Sequence, residues 1–575
     1  MRFPLQRVPL GLGAAAACVL LLSTLAAGNT QGPLEQARER GRRFERAIAA
    51  MDRLMRVWLT HADARTLLLP DRIPGPGSGL APGTSAPYTP HNSGADLYPY
   101  LILTASLTDP NLYHGRMMEM LRNEVRYTNA AGSVPGNLDL ATGKLGSFSL
   151  FGAGEYAKDG LISVTEYLGQ TPWTARMIDM MADALERSPI ESRFGKLPAK
   201  DSELNGDYLQ VLARLGPMTG DQRFIDWARR IGDAYIEEVL PGNHDLPSVE
   251  WDFANHTGIP RMRLRDHGNE IVVGLVLQYA NEQRWKSPRA EKWRPAIARM
   301  LDRILASANA DGLLYDEIDA DTLKPVRSGL ADNWGYVYGA AYTFYQCTGE
   351  TKYRDAVLRV LRNLTKYRRH VWEPRQDPQL PLGSFDGYAD TIESALYLVA
   401  REPVPEALDW IESEMQVMLD MQRPDGHIEY WYGEGNFNRT AMLYALMQSR
   451  GVRPAHWRPG MALGAAEERV EAKSDGTGAT RLYVSLTSAS SSPATIQFDY
   501  ARHRRILNLD RNYVRLNEFP EWFIVDENTL YRVRPAARAS EGLVRLGSEL
   551  IAGIELAAGD WVIEPLSAIS AKSQE

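Results

Sequence analysis

The residues of this chain best suited to chemistry are carboxylates and amides set among small and aromatic residues. The densest run is Ala331-Asp332-Asn333-Trp334-Gly335-Tyr336. Asp332 could give or take a proton there, while Trp334 and Tyr336 offer ring faces on which a cyclic ligand can stack. The same run also fits an N-cap aspartate followed by core aromatics. A second run, from Ser384 to Asp390, places Asp386 and Asp390 four residues apart, on one face if a helix includes both. Asp332 and Asp386 are the expected acid and base.

Arg261, Arg263, Arg265, Asp266, His267 and Glu270 form the densest ionisable cluster. Arginine at this density suits a carboxylate or sulfate on a ligand, and His267 beside Asp266 could serve as a general base. A solvated loop with internal ion pairs would look the same. His427, Trp431 and Glu434 stand in the polar, aromatic run HIEYWYGEGN, which suits either a ligand subsite or a plug. Asn205, near Asp207 and Tyr208, is a weaker binding candidate. No H-E-x-x-H, paired C-x-x-C, phosphate-binding loop or G-x-S-x-G elbow occurs, so no cofactor and no metal is expected, short of a loop-borne ion.

These runs recur with the elements that must hold them. About seven segments open with Gly or Ser, then an acid or amide, then small and aromatic residues: NSGADLYPYL, GAGEYAKDGLIS, DSELNGDYLQVL, LRDHGNEIVVGL, GLADNWGYVYGA, SFDGYADTIESA and GEGNFNRTAMLY. Each is followed, after a short turn, by a charged amphipathic helix such as TGDQRFIDWARRIGDAYI. Alternation of this kind predicts a mainly α fold, an α/α toroid with six or seven hairpins, apolar helices inside and charged ones outside. The inner-to-outer turns are short and the outer-to-inner links long, so the long links should crowd one end, around the N-termini of the inner helices. The site is expected there. Beyond about residue 460 the pattern changes to short alternating runs such as RLYVSLTS and DWVIEP, read as an antiparallel β-sandwich over 461–575 following a toroid over 28–460.

Residues 1–27 carry Arg2 and Arg7, an apolar run and a small-residue exit, the pattern of a cleaved signal peptide; an uncleaved anchor is the alternative. Cys347 would then be the only cysteine left, so no internal disulfide can form. A secreted or periplasmic protein with no membrane segment after cleavage is expected. The formal net charge of −8 gives no basic field to hold nucleic acid.

The openings Ala331 to Tyr336 and Ser384 to Asp390 resemble those of the six- or seven-hairpin α/α-toroid superfamily of carbohydrate-active enzymes, which includes glycoside hydrolases and polysaccharide lyases. The resemblance implies a poly- or oligosaccharide substrate, an acidic one if the arginine cluster binds it. Three readings follow. A glycoside hydrolase would use Asp332 as acid and Asp386 as base or nucleophile. A lyase acting on a uronate would rely on Arg265, His267, Asn269 and Tyr336. A non-catalytic glycan-binding protein of the envelope would bind without turnover. The several acids at helix openings favour hydrolysis.

Overall fold

The computed structural model describes residues 32–374, 381–470, 479–538 and 540–566, without the side chains of Asp266, His267, Val470 and Ala479. The expected leader lies outside the described residues. About half of the chain is helical. In order the principal helices are α1 (Pro33–Thr60), α2 (Tyr98–Thr108), α3 (Met118–Thr128), α4 (Leu150–Glu155), α5 (Ile162–Leu168), α6 (Pro172–Glu186), α7 (Ser202–Thr219) and α8 (Gln222–Ala234). They continue as α9 (Glu270–Arg284), α10 (Pro288–Ala306), α11 (Trp334–Thr348), α12 (Thr351–Asn363), α13 (Phe385–Val399), α14 (Pro405–Asp420) and α15 (Glu434–Ser449). Two π-helical stretches interrupt the early inner helices: Pro90–Leu97 leads into α2, and Tyr156–Leu161 joins α4 to α5.

Helices of two kinds occur along the chain. In α8 a stripe of Phe224, Ala228, Ile231, Gly232 and Ala234 is buried while Gln222 and Arg223 are exposed, which is an amphipathic outer helix. In α15 every residue is buried. Side-chain caps start several helices: Asp221 Oδ1 accepts from Arg223 N (2.9 Å), and Asp201 Oδ1 from Leu204 N (2.8 Å). Pro172, Pro288 and Pro405 occupy first turns, where no backbone donor is needed. Trp173 and Trp293, just past such starts, are fully buried anchors.

The inner helices pack in succession: α7 on α9, α9 on α11, α11 on α13, α13 on α15, and α15 back on α2. The stretch before α2 meets Tyr156–Leu161, which reaches α7, so the succession closes into a ring. Glycine permits the closest approaches. A side-chain carbon at Gly206 would lie 2.5 Å from Ile271 N, and one at Gly435 would run into the backbone oxygen of Asp96. The long links carry small sheets; Arg261–Arg263, Tyr315–Asp319 and Pro325–Leu330 form one three-stranded sheet from two different links.

After α15 the chain forms a five-stranded antiparallel sheet from β1 (Ala462–Val470), β2 (Ala479–Thr487), β3 (Leu530–Pro535), β4 (Leu543–Leu546) and β5 (Gly559–Pro565), in the order β1-β2-β5-β3-β4. A second sheet holds only the short strands Arg453–Pro454, Ala494–Gln497 and Ile554–Leu556. The main sheet's chief partner is a helix: β1 lies along α1, where Gly41 and Gly464 let the two backbones touch. Between these strands, residues 502–521 leave the sheets and enter the end of the ring where the inner helices finish. Val514 N donates to Thr343 Oγ1 (3.1 Å) of α11, and Arg214 of α7 donates to Leu516 O (2.7 Å). Leu463, Val484, Val514 and Phe519 therefore belong to the same apolar core as the helices.

Candidate functional site

At the opposite end, where the inner helices begin, a cavity of about 330 Å³ opens among polar side chains. Asp96 comes from the stretch before α2, Lys158 and Asp159 from the π-helical joint, and Glu270 from the first turn of α9. Asp332, Asn333 and Tyr336 come from the start of α11, Asp386 and Asp390 from α13, and Asn436 and Arg439 from α15. Arg265, Glu373, Trp431 and Tyr432 reach in from the long links. Three lining residues thus sit in π-helical turns, whose extra residue per turn redirects side chains and which recur at functional sites. The stretch bearing Asp96 is held by the buried Asp71, whose carboxylate accepts from Thr89 N (3.1 Å), Ser93 N (3.1 Å) and Asn92 Nδ2 (2.9 Å).

The cationic groups of the cavity are all engaged. Lys158 Nζ lies 2.7 Å from Glu270 Oε1, 2.8 Å from Asp159 Oδ2 and 3.5 Å from Glu155 Oε1. Burial pulls its pKa down, but the surrounding carboxylates outweigh that and hold the ammonium well above its ordinary value. Arg265 reaches Asp332 Oδ2 through Nε (3.0 Å) and Nη2 (2.9 Å). Arg439 Nη2 holds Asp390 Oδ1 at 2.9 Å and Glu393 Oε2 at 2.6 Å.

Two carboxyls differ from the rest. Asp96 makes no side-chain hydrogen bond among the described residues, and Asp386 accepts one, from Asn436 Nδ2 (3.1 Å). Burial, then the neighbouring Asp159, Glu155 and Asp386, push the Asp96 carboxyl well above the usual range. Burial, then Asp390 and Glu373, do the same to Asp386. Tyr336, 7% exposed, turns toward the cavity, and its hydroxyl has no hydrogen-bond partner among the described residues. The arrangement combines a carboxyl that burial and like charges make a weaker acid than usual, Asp386, with a charge-paired carboxylate, Asp332, a combination able to give one proton and accept another.

Of the residues singled out in the sequence, Asp332, Asp386, Arg265, Glu270, Tyr336, Asp390 and Trp431 line this cavity. Four others do not. Trp334 is buried, its indole donating to Thr391 Oγ1 (2.9 Å) between α11 and α13. Asn205 spends its amide on Ala199 O and Asp201 O, each 2.8 Å away, fixing the entry to α7. Glu434 accepts from the backbone nitrogens of Ile428 (2.8 Å), Glu429 (2.6 Å) and Tyr430 (2.6 Å) and from Trp58 Nε1 (2.7 Å). His427 Nδ1 lies 3.0 Å from the same carboxylate, so both residues shape the link rather than face the cavity. The side chains of Asp266 and His267 lie outside the described residues.

Sequence reasoning passed over Asp96, Lys158, Asp159, Glu373 and Arg439. A lysine and an arginine amid otherwise apolar inner helices were the available signal, because a buried cation requires buried partners. Asn517 had none. It belongs to the C-terminal segment, at φ +56°, and donates to Asp159 Oδ1 (2.7 Å) and Lys158 O (3.1 Å) while accepting from Arg439 Nη1 (3.2 Å). It ties the two sides of the cavity together from beneath.

No family model matches the chain, and no curated protein matches it. Among solved structures it is similar to a sugar epimerase from a ruminal bacterium, at 11% identity and a TM-score of 0.39, over 56% of this chain and 87% of that one. It is similar to a family 76 glycoside hydrolase from a bovine Bacteroides thetaiotaomicron strain, at 11% identity and 0.39, over 70% and 77%. A third is the unsaturated glucuronyl hydrolase responsible for glycosaminoglycan degradation in Bacillus sp. GL1, at 13% identity and 0.39, over 56% and 90%. All three are enzymes described by their action on sugars. So distant a likeness assigns no reaction to this chain.

Proposed function

We propose that this chain is an exported glycoside hydrolase: a leader over 1–27, an α/α toroid of seven hairpins over 28–460, and a β-domain over 461–575 that plugs the toroid's far end. Its substrate is a poly- or oligosaccharide entering at the N-termini of the inner helices. Asp386 is the general acid and protonates the leaving oxygen. Asp332, whose charged form Arg265 stabilises, activates water or attacks the anomeric carbon. These roles are the reverse of those expected for a glycoside hydrolase from the sequence, because the guanidinium sits on Asp332 and the like charges surround Asp386. The observation that carries the reading is Asp386 itself: a buried carboxyl facing a cavity among other carboxyls, with one amide as its hydrogen-bond partner among the described residues.

The lyase reading draws less support. It needs a cation and an amide free to neutralise a uronate, yet Arg265 is committed to Asp332, and the fully buried Asn269 gives its amide to Leu264 O (2.7 Å) and Asn333 Oδ1 (3.3 Å). No helix of the described residues is long and apolar enough to cross a membrane. The test is Asp386→Asn assayed on a panel of polysaccharides for new reducing ends. Turnover should fall at least about a hundredfold with the circular dichroism unchanged, since general acid–base assistance typically contributes 10²–10⁴. Unchanged activity removes the assignment.

A further inference from the structure

We propose that the cavity selects saccharides bearing a free, protonated amine over N-acylated and uronate sugars. The inference rests on the hydrolase reading for the nature of the ligand, but its own argument is one of charge. Seven carboxyl-bearing residues line the cavity against three cationic ones. The cations are already held: Lys158 by Glu270 and Asp159, Arg265 by Asp332, Arg439 by Asp390 and Glu393. A carboxylate on the ligand would have to displace one of these partners and would arrive among like charges, which complementary interfaces avoid. An ammonium meets the opposite situation.

Asp96 and Asp386 supply its seat. They face one cavity from neighbouring elements, Asp96 without a side-chain hydrogen bond among the described residues and Asp386 with Asn436 alone. Gly435 brings α15 against the backbone of Asp96, so Asn436 and Asp386 are held beside it. Tyr336, more than nine-tenths buried and with its hydroxyl unpartnered among the described residues, provides an independent polar contact for the ligand. Burial first, and then neighbouring carboxylates, raise the pKa of both aspartates; an ammonium seated against them would offset the repulsive part of that cost.

The experiment is equilibrium binding at neutral pH and low salt of glucosamine, galactosamine and mannosamine, of their N-acetyl derivatives, and of glucuronate. At least one free-amine sugar should bind about tenfold or more tighter than its N-acetyl form and than glucuronate. The preference should shrink severalfold in Asp96→Asn and on adding salt. Glucuronate or the N-acetyl sugars binding as well as the amines overturns the inference, as does a preference that Asp96→Asn and salt leave untouched. The two readings fail separately. Hydrolysis of a glycan without amine-selective binding sinks this inference alone, whereas amine-selective binding without hydrolysis of any glycan, amino-sugar polymers included, sinks the hydrolase assignment and leaves the selectivity standing.

Discussion

Where the inner helices end, Glu166 pairs with Arg214 at 2.9 Å and Arg515 at 3.2 Å, and Glu518 pairs with Arg515 at 3.0 Å and Arg401. Where they begin, seven carboxyl-bearing residues share three cations around open space. Both ends bury charge, but only the first is filled. There the C-terminal segment supplies Arg515, Glu518 and the carbonyl of Leu516, and charges of opposite sign alternate. A buried network closed in this way fixes how two parts of the chain fit. At the mouth, Asp96 and Asp386 form no ion pair among the described residues, at the expense of stability, where a ligand can reach them. The pairing of the charges, more than their number, separates structure from chemistry in this molecule.

The comparison breaks first at Arg515. Arg515→Ala removes one of the two arginines that hold each of Glu166 and Glu518, so chemical denaturation should show a loss of up to about 3–5 kcal/mol. A loss below about 1 kcal/mol would mean that the far end is not held by this network. Asn517→Ala leaves Asp159 and Arg439 each short of a partner and should cost about 1–3 kcal/mol. Turnover should fall with it, and Asn517→Asp should do more harm than the alanine by setting a like charge beside Asp159. Equal activity in all three proteins would separate the C-terminal segment from the site.

The smallest effect has the opposite sign. Asp96 and Asp386 have pKa values above those of the unfolded chain, and burial, aided by Asp390, pushes Glu393 up to about 8. Groups raised in this way stabilise the fold fully below the ordinary carboxylate range and lose that contribution as pH rises through the raised values. The protein should therefore lose stability between about pH 5 and pH 8. Asp386→Asn should flatten that slope and match or exceed the wild type at neutral pH, by about 1 kcal/mol. Thermal melts across this range check it, and a slope of the other sign would contradict the account of the mouth.

Much of this arrangement is legible in the sequence. Gly or Ser, an acid and small aromatics mark the inner helices because tight packing, capping and the cavity each demand a residue type, and Asp332 and Asp386 stand at two such openings. The earliest openings, NSGADLYPYL and GAGEYAKDGLIS, look weakest, yet they supply Asp96, Lys158 and Asp159. A π-helical turn has no sequence period to reveal it, so which face those residues present could not be read. His427 and Glu434 mislead for the opposite reason: a polar, aromatic link resembles a subsite, but Glu434 is taken up by the link's own backbone nitrogens and His427 by Glu434. Asn517 lies more than 350 residues from Asp159, and only the folded chain brings them together.

The central claim is that Asp386 delivers a proton to a leaving oxygen, and the dependence of rate on leaving group tests it most directly. Wild type and Asp386→Asn should be compared on glycosides of one sugar whose leaving groups range from an acidic phenol to an alkyl alcohol. A departing phenolate needs little protonation and an alkoxide needs it fully. The account predicts a variant nearly as active as wild type on the most acidic phenol and at least about a hundredfold slower on the alcohol. A loss of the same size across the whole series would contradict it, because Asp386 would then be serving some purpose other than proton donation.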